Sequence, residues 1–428
     1  MRLHKESRPE PEPQQGKEKD PQVHIVEVSP RDGLQNIPGF IPTETKISLI
    51  RRLAGTGLRT IEVASVVAPK AVPQLADWRD VLGHRTVRAL LRSGRGGDDS
   101  GMETGSGSGS GSGSDSGSES SQQSESSFES ESETERERAP ELRKRLNLPI
   151  LLPNLKGLSL LLSHTHDPAV KSICVFVSAT SPFSHRNTNC SVADGLLRAR
   201  EVTTAAKKAG VSRVRGYISC IFNDPITHEP TAPSAVLHCT RFLLESGVDE
   251  IALSDTDGSG TAGLTSSLLR YLLGNGVPVT KLACHFHDTR GTGLENAWAA
   301  YEAGVRVFDG SVAGLGGCPF APGARGNVDT GSLVRMFEEK GVRTGLDLGL
   351  LDEVGMWVRG VLGGYEGGGR AGDRDGSRMG IGDGKDEREE RREWARTVGA
   401  AASTATATTK TRGGHCGWAF SRPLGVER

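Results

Sequence analysis

The sequence predicts a (β/α)8 barrel, and two observations carry that prediction. Short apolar runs alternate with amphipathic helical segments eight times between Val23 and Glu339. The rival architecture, a doubly wound open sheet, normally has fewer units, and no G-x-G-x-x-G opens the first helix here.

In order, the first strand is read over 23–28 and its helix over 43–55. The second strand is 60–65, followed by a helical stretch around 74–82. The third strand, 148–152, leads to a helix over 155–164, and the fourth, 172–178, to one over 192–209. The fifth, sixth and seventh pairs are 213–220 with 234–245, 250–254 with 264–273, and 282–287 with 294–303. The eighth strand, 305–313, precedes a helix over 331–339.

Three segments fall outside this pattern. Residues 1–22 are polar and proline-rich, and read as a disordered arm. Residues 95–139 run from glycine-serine repeat into serine-glutamate repeat, too poor in apolar groups to offset their ordering entropy. The strand–helix pattern resumes straight after them, so they read as a disordered insertion within one barrel domain spanning 23–362. Residues 363–428 read as a low-complexity, disordered tail.

The chain of 428 residues carries a formal net charge of -1, so no overall field for nucleic acid or membrane is expected. No apolar stretch reaches the roughly 18 residues of a spanning helix. The seven cysteines are odd in number and lack CxxC pairs, which fits reduced thiols. The first twenty residues mix Glu10, Glu12, Glu18 and Asp20 with basic groups, unlike an acid-poor transit peptide. The expected location is therefore cytoplasmic, with a mitochondrial one not ruled out.

The chemistry converges on 282–327. His285 and His287 alternate along a strand, so they share a face, and Asp288 follows. Two imidazoles on one face suit a divalent metal better than an apolar core. A glycine-rich loop with Cys318 and Asn327 comes next. Barrel closure makes strands one and eight neighbours, which brings Asp32 beside His285, His287 and Asn327. A carboxylate, two imidazoles and an amide oxygen form a mixed shell suited to Mg2+ or Mn2+. Taken singly, Arg31-Asp32 could be a surface ion pair in a turn, Glu62 and Asp255 hydrogen-bonding groups at the barrel top, and Cys318 a small apolar residue. Tyr217 reads as packing, and Cys174, Cys220, Cys239 and Cys284 as core.

The motifs VEVSPRDGLQN (26–36), LACHFHDTRGTGLENAW (282–298) and VAGLGGCPFAPGARGN (312–327) resemble the signatures of the 3-hydroxy-3-methylglutaryl-CoA lyase family. So do VRGYISC (214–220), IEVASVVAPKAVPQLAD (61–77) and LLPNLKG (151–157). The resemblance covers about 23–360, minus the insertion, and the GLGGCP loop narrows it to the lyase branch of a wider barrel family. It implies a divalent-metal-dependent cleavage of an acyl-CoA substrate, hydroxymethylglutaryl-CoA, to acetyl-CoA and acetoacetate. It implies metal ligation by Asp32, His285, His287 and Asn327. It also implies enolate stabilisation by Arg31, proton transfer by Cys318, and active-site acids at Glu62 and Asp255. Asp32 and His285 are the candidates for the first base. A homodimer is compatible with the resemblance. The competing readings are a related lyase or synthase for another 3-hydroxyacyl-CoA, and an inactive metal-binding scaffold.

Overall fold

The structure is a computed structural model, and it describes residues 22–37, 39–93, 146–164, 170–316 and 326–366. The expected insertion at 95–139, the arm up to residue 21, Cys318 and the tail beyond 366 lie outside the described residues.

Strand β1 (His24–Glu27) pairs in parallel with β2 (Thr60–Ile61) on one side and with β9 (Val307–Gly310) on the other. From β9 the order continues through β8 (Leu282–His285), β7 (Glu250–Ser254), β6 (Arg213–Ser219), β5 (Ser172–Ser178) and β4 (Ile150–Leu151) to β3 (Ala64–Ser65). β2 and β3 are two halves of one extended segment. Its Glu62 N–H donates to Glu27 O of the first strand, while Val63 N–H donates to Pro149 O of the third. The sheet therefore starts and ends on the same stretch of chain, which closes the barrel expected from sequence. Parallel strands covered on both faces read as unbroken apolar runs, as β5 (SICVFVS) does.

The outer helices bury one stripe each. In α1 (Thr43–Ala54) the buried Ile47, Ile50 and Leu53 recur at helical spacing, with Glu44 in the first turn and Arg51 and Arg52 in the last. Ser191 caps the helix Val192–Lys208 by accepting from Asp194 N–H at 3.1 Å. Full burial of side chains such as Leu53, Ile150 and Phe337 is worth about 1.5–3 kcal/mol each.

Among the described residues, three α-helices had no counterpart in the sequence pattern. Arg85–Ser93 follows the helix Trp78–Gly83, where one helical stretch was expected. Ser181–Thr188 (SPFSHRNT) has no apolar period and is held by tertiary contacts. Phe183 N–H donates to Asp224 Oδ2, and Ser184 Oγ donates to Cys190 O. Leu348–Glu366 is glycine-rich but buries Leu351, Val354, Val358 and Leu362, and it continues past residue 362.

Candidate active site

The site stands at the C-terminal end of the barrel. After β1 the chain enters a tight turn, Ser29–Gly33, in which the N–H groups of Arg31, Asp32 and Gly33 all donate to Val28 O. Gly33 is required there: an added Cβ would lie 2.8 Å from Ser311 Oγ and 2.9 Å from Leu315 Cβ. The turn aims Arg31 and Asp32 into the barrel mouth. Arg31 is buried and bridges two carboxylates, donating through Nε to Glu62 and through Nη1 to Asp32. Asp32 Oδ1 also accepts from Gln35 Nε2 at 2.7 Å.

β8 delivers His285, and the chain stays extended to His287, as the shared-face reading requires; the two rings lie 5.3 Å apart. The loop after β9 returns alongside: Val328 N–H donates to Phe286 O and Asp288 N–H to Gly326 O, so Asn327 sits opposite His287. Asn327 Nδ2 donates to Asp32 Oδ2 at 2.8 Å and to Leu315 O at 3.1 Å. Gly316, at φ 104°, allows this, since a Cβ there would lie 2.6 Å from Asn327 Nδ2. One ligand atom from each of Asp32, His285 and His287 lies within 4.8 Å of the others.

A buried polar chain supports His285 from below. Its Nδ1 is 3.0 Å from Asp309 Oδ2, Asp309 Oδ1 accepts from Arg215 Nη2 at 2.6 Å, and Arg215 Nε is 3.1 Å from Glu250 Oε1. Fixing Nδ1 in this way turns Nε2 toward Asp32, 4.0 Å away. Burial alone would lower the His285 pKa, but the Asp309 hydrogen bond and charge and the Asp32 charge outweigh it and raise it. Burial and the neighbouring His285 push His287 down to about 4, so it is neutral, as a ligand must be. Burial opposes ionisation of Asp32, yet Arg31 beside it and the two histidines hold its carboxyl far below the usual range.

The donor set fits a divalent cation. His287 Nδ1 and Asn327 Oδ1 are buried without a hydrogen-bond partner, which is costly unless both face a cation. Both residues, with Asp32, His285 and Arg31, line a cavity of about 540 Å3 that extends to Asn187 and Arg198.

The other expected residues are placed differently. Glu62 is fully buried and does not line the cavity; it accepts from Arg31 Nε and from Tyr217 OH. Asp255 also stands behind the wall, with Oδ2 accepting from Gly260 N–H at 3.0 Å, and burial raises its pKa to about 7. Tyr217, read as packing, is a cavity-lining hydrogen-bond donor to Glu62, while Arg215 and Asp309 were missed altogether. Their signal was a charged residue inside an apolar strand (VRGYI, VFDG), which is hard to bury without a partner. Cys174, Cys220, Cys239 and Cys284 are buried free thiols, as expected.

A family model described as HMGL-like matches residues 22–358. The chain belongs to that family. Its relatives in the HMGL-like family include the mitochondrial hydroxymethylglutaryl-CoA lyase of Bos taurus, 37% identical over 79% of this chain and 85% of that protein. The cytoplasmic 3-hydroxy-3-methylglutaryl-CoA lyase of Danio rerio is 38% identical over 78% and 82%. The mitochondrial enzyme of Arabidopsis thaliana is 38% identical, and there the match spans 80% of this chain but 60% of the relative. The HMG-CoA lyase structure from Brucella melitensis superposes with a TM-score of 0.63 at 35% identity, covering 80% of this chain and all of that one. A lyase structure from Acinetobacter baumannii, in complex with coenzyme A and 3-methylmalate, gives 0.61 at 28% identity, covering 83% and 98%. The relatives at 37–38% identity and the solved structures at 28–35% are lyases, and the chain is a lyase enzyme of this family. Among the described residues no helix is long and apolar enough to cross a membrane.

Proposed function

We propose that this site cleaves 3-hydroxy-3-methylglutaryl-CoA to acetyl-CoA and acetoacetate, with Asp32, His285, His287 and Asn327 holding Mg2+ or Mn2+. The observation that carries the reading is the pair of orphaned buried atoms, His287 Nδ1 and Asn327 Oδ1, beside Asp32 and His285 in one cavity. A divalent cation supplies positive charge that acidifies a bound tertiary hydroxyl and orients the substrate. The hydroxyl proton passes to Asp32 or His285, the two candidate acceptors at that end of the cavity. As the C2–C3 bond breaks, its electrons move onto the thioester oxygen. Arg31 opposes that charge with a guanidinium held rigid by Glu62 and Asp32, leaving Nη2 for substrate. The Cys318 thiol donates a proton to the carbon of the resulting enolate, and the thiolate it leaves takes back the proton held by Asp32 or His285. The acyl-CoA substrate class is supported by the relatives' names and by the coenzyme A complex of the Acinetobacter baumannii enzyme.

The test is acetoacetate release by the purified protein with Mg2+ or Mn2+, before and after exhaustive chelation, together with Mn2+ titration of His287→Ala. Metal-dependent release and sharply weakened Mn2+ binding in the variant are expected. Full turnover without metal, or unchanged Mn2+ affinity, overturns the assignment.

A further inference from the structure

Glu27 is a fully buried carboxylate to which neither the metal site nor the proposed reaction gives a role. It occupies the last position of β1. Its Oε1 accepts from the backbone N–H of Ser29 at 2.9 Å and of Val312 at 3.0 Å, and Thr330 Oγ1 donates to its Oε2 at 2.7 Å. These donors belong to three different segments. Ser29 opens the turn that carries Arg31 and Asp32. Val312 opens the turn leading to Leu315, whose carbonyl accepts from Asn327 Nδ2. Thr330 is the first residue of the helix Thr330–Glu339, three residues after Asn327.

We propose that Glu27 is a positioning residue: it staples the Asp32 turn to both flanks of the Asn327 loop and so sets the distance between those two ligands. Asp32 and Asn327 are far apart in the chain and meet through one 2.8 Å hydrogen bond. The Asn327 loop is already tied to His287 and the Asp32 turn to Val28, and Glu27 adds the tie between the two. A staple beneath them ties both backbones to one strand end, as outer-shell groups orient metal ligands elsewhere. Burial pushes the Glu27 carboxyl up to about 7. A protonated Oε2 can donate to the Thr330 hydroxyl instead of accepting from it, so the staple does not depend on ionisation. By the same logic Glu27→Gln can keep every contact, with its amide oxygen facing the two N–H groups and its NH2 facing the hydroxyl.

The proposal rests on the metal reading for its consequence, so its test has two readouts. Hydrogen–deuterium exchange reports the loops directly, and Mn2+ titration reports the ligand geometry. Glu27→Leu and Thr330→Val should speed exchange in 29–33 and 326–330 together and weaken Mn2+ binding about tenfold or more. Glu27→Gln should stay near the wild type in both. Leu161→Ala, a core truncation in the helix Leu155–His164, serves as a control of lowered Tm with unaltered Mn2+ affinity. Should Glu27→Leu fail to fold, Thr330→Val and Glu27→Gln carry the comparison. Unchanged exchange in the two loops of Thr330→Val, or a loss in Leu161→Ala equal to its own, overturns the staple. Faster exchange with no Mn2+ binding by the wild type leaves the staple standing and removes the metal reading.

Discussion

Arg31 is held where a surface ion pair would have been the ordinary outcome for an Arg-Asp dipeptide in a turn. The difference is Glu62, contributed by the neighbouring strand segment, which occupies Nε and buries the guanidinium. In the proposed mechanism Arg31 opposes charge on the thioester oxygen, and such a fixed cation matters more in the transition state than in substrate binding. Arg31→Met should therefore lower kcat by roughly 10²–10³-fold, the scale of a lost oxyanion donor. It should also lower Tm, because Glu62 is left as an unpaired buried carboxylate. Steady-state kinetics on folded variant protein checks this, and a defect confined to KM would assign Arg31 to ground-state binding. Lysine at this position keeps the charge but not the fork that spans two carboxylates, so Arg31→Lys should also be impaired.

At the scale of elements, the site depends on how β1 meets the loop after β9. Glu27 joins them, and its raised pKa has a thermodynamic consequence. Below about pH 4.5 the folded and unfolded chains both keep the proton. Between about 4.5 and 7 the unfolded chain releases it while the folded chain holds it, so stability falls as pH rises through that window. Above about 7 the slope ends. At roughly 1.36 kcal/mol per pKa unit the loss is on the order of 3 kcal/mol. Glu27→Gln cannot titrate, so its Tm relative to the wild type should climb between pH 4.5 and 7 and then level off. A constant Tm difference over this range would show that Glu27 is ionised throughout.

At the scale of the whole molecule, the connection that carries the low-complexity segment leaves the helix Arg85–Ser93 and re-enters at Leu146, just ahead of β4. Asn147 bridges to Thr60 at the start of its strand, which puts the re-entry at the N-terminal end of the barrel. Asp32, His285, His287 and Asn327 lie at the other end. Loop-closure cost grows only logarithmically with length. Replacing 95–139 with a short glycine-serine linker should therefore leave kcat within about twofold and Tm no lower, as measured by acetoacetate release and thermal unfolding. A shortened protein that folds normally but has lost turnover would show that the segment reaches the active end.

Sequence alone determined the barrel and the residues at its mouth, because both are local signals. Eight apolar runs at regular spacing report parallel strands, and His285-x-His287 reports a shared face whatever else surrounds it. What only the tertiary structure decided is which polar groups support that site from behind. Arg215 and Asp309 stand in apolar runs about a hundred residues apart, and only the barrel register joins them beneath His285. Tyr217 and Glu62 likewise meet across the interior, which made a supposed packing residue a hydrogen-bond donor. Glu62 and Asp255 lie at strand ends, as the sequence indicated, but side-chain direction set them behind the cavity wall. The helix Leu348–Glu366 was illegible for the opposite reason: its glycines weaken the local signal, and it exists because four apolar side chains find a partner surface. Pairing across the barrel is a property of closure, and closure leaves no mark on any one stretch of chain.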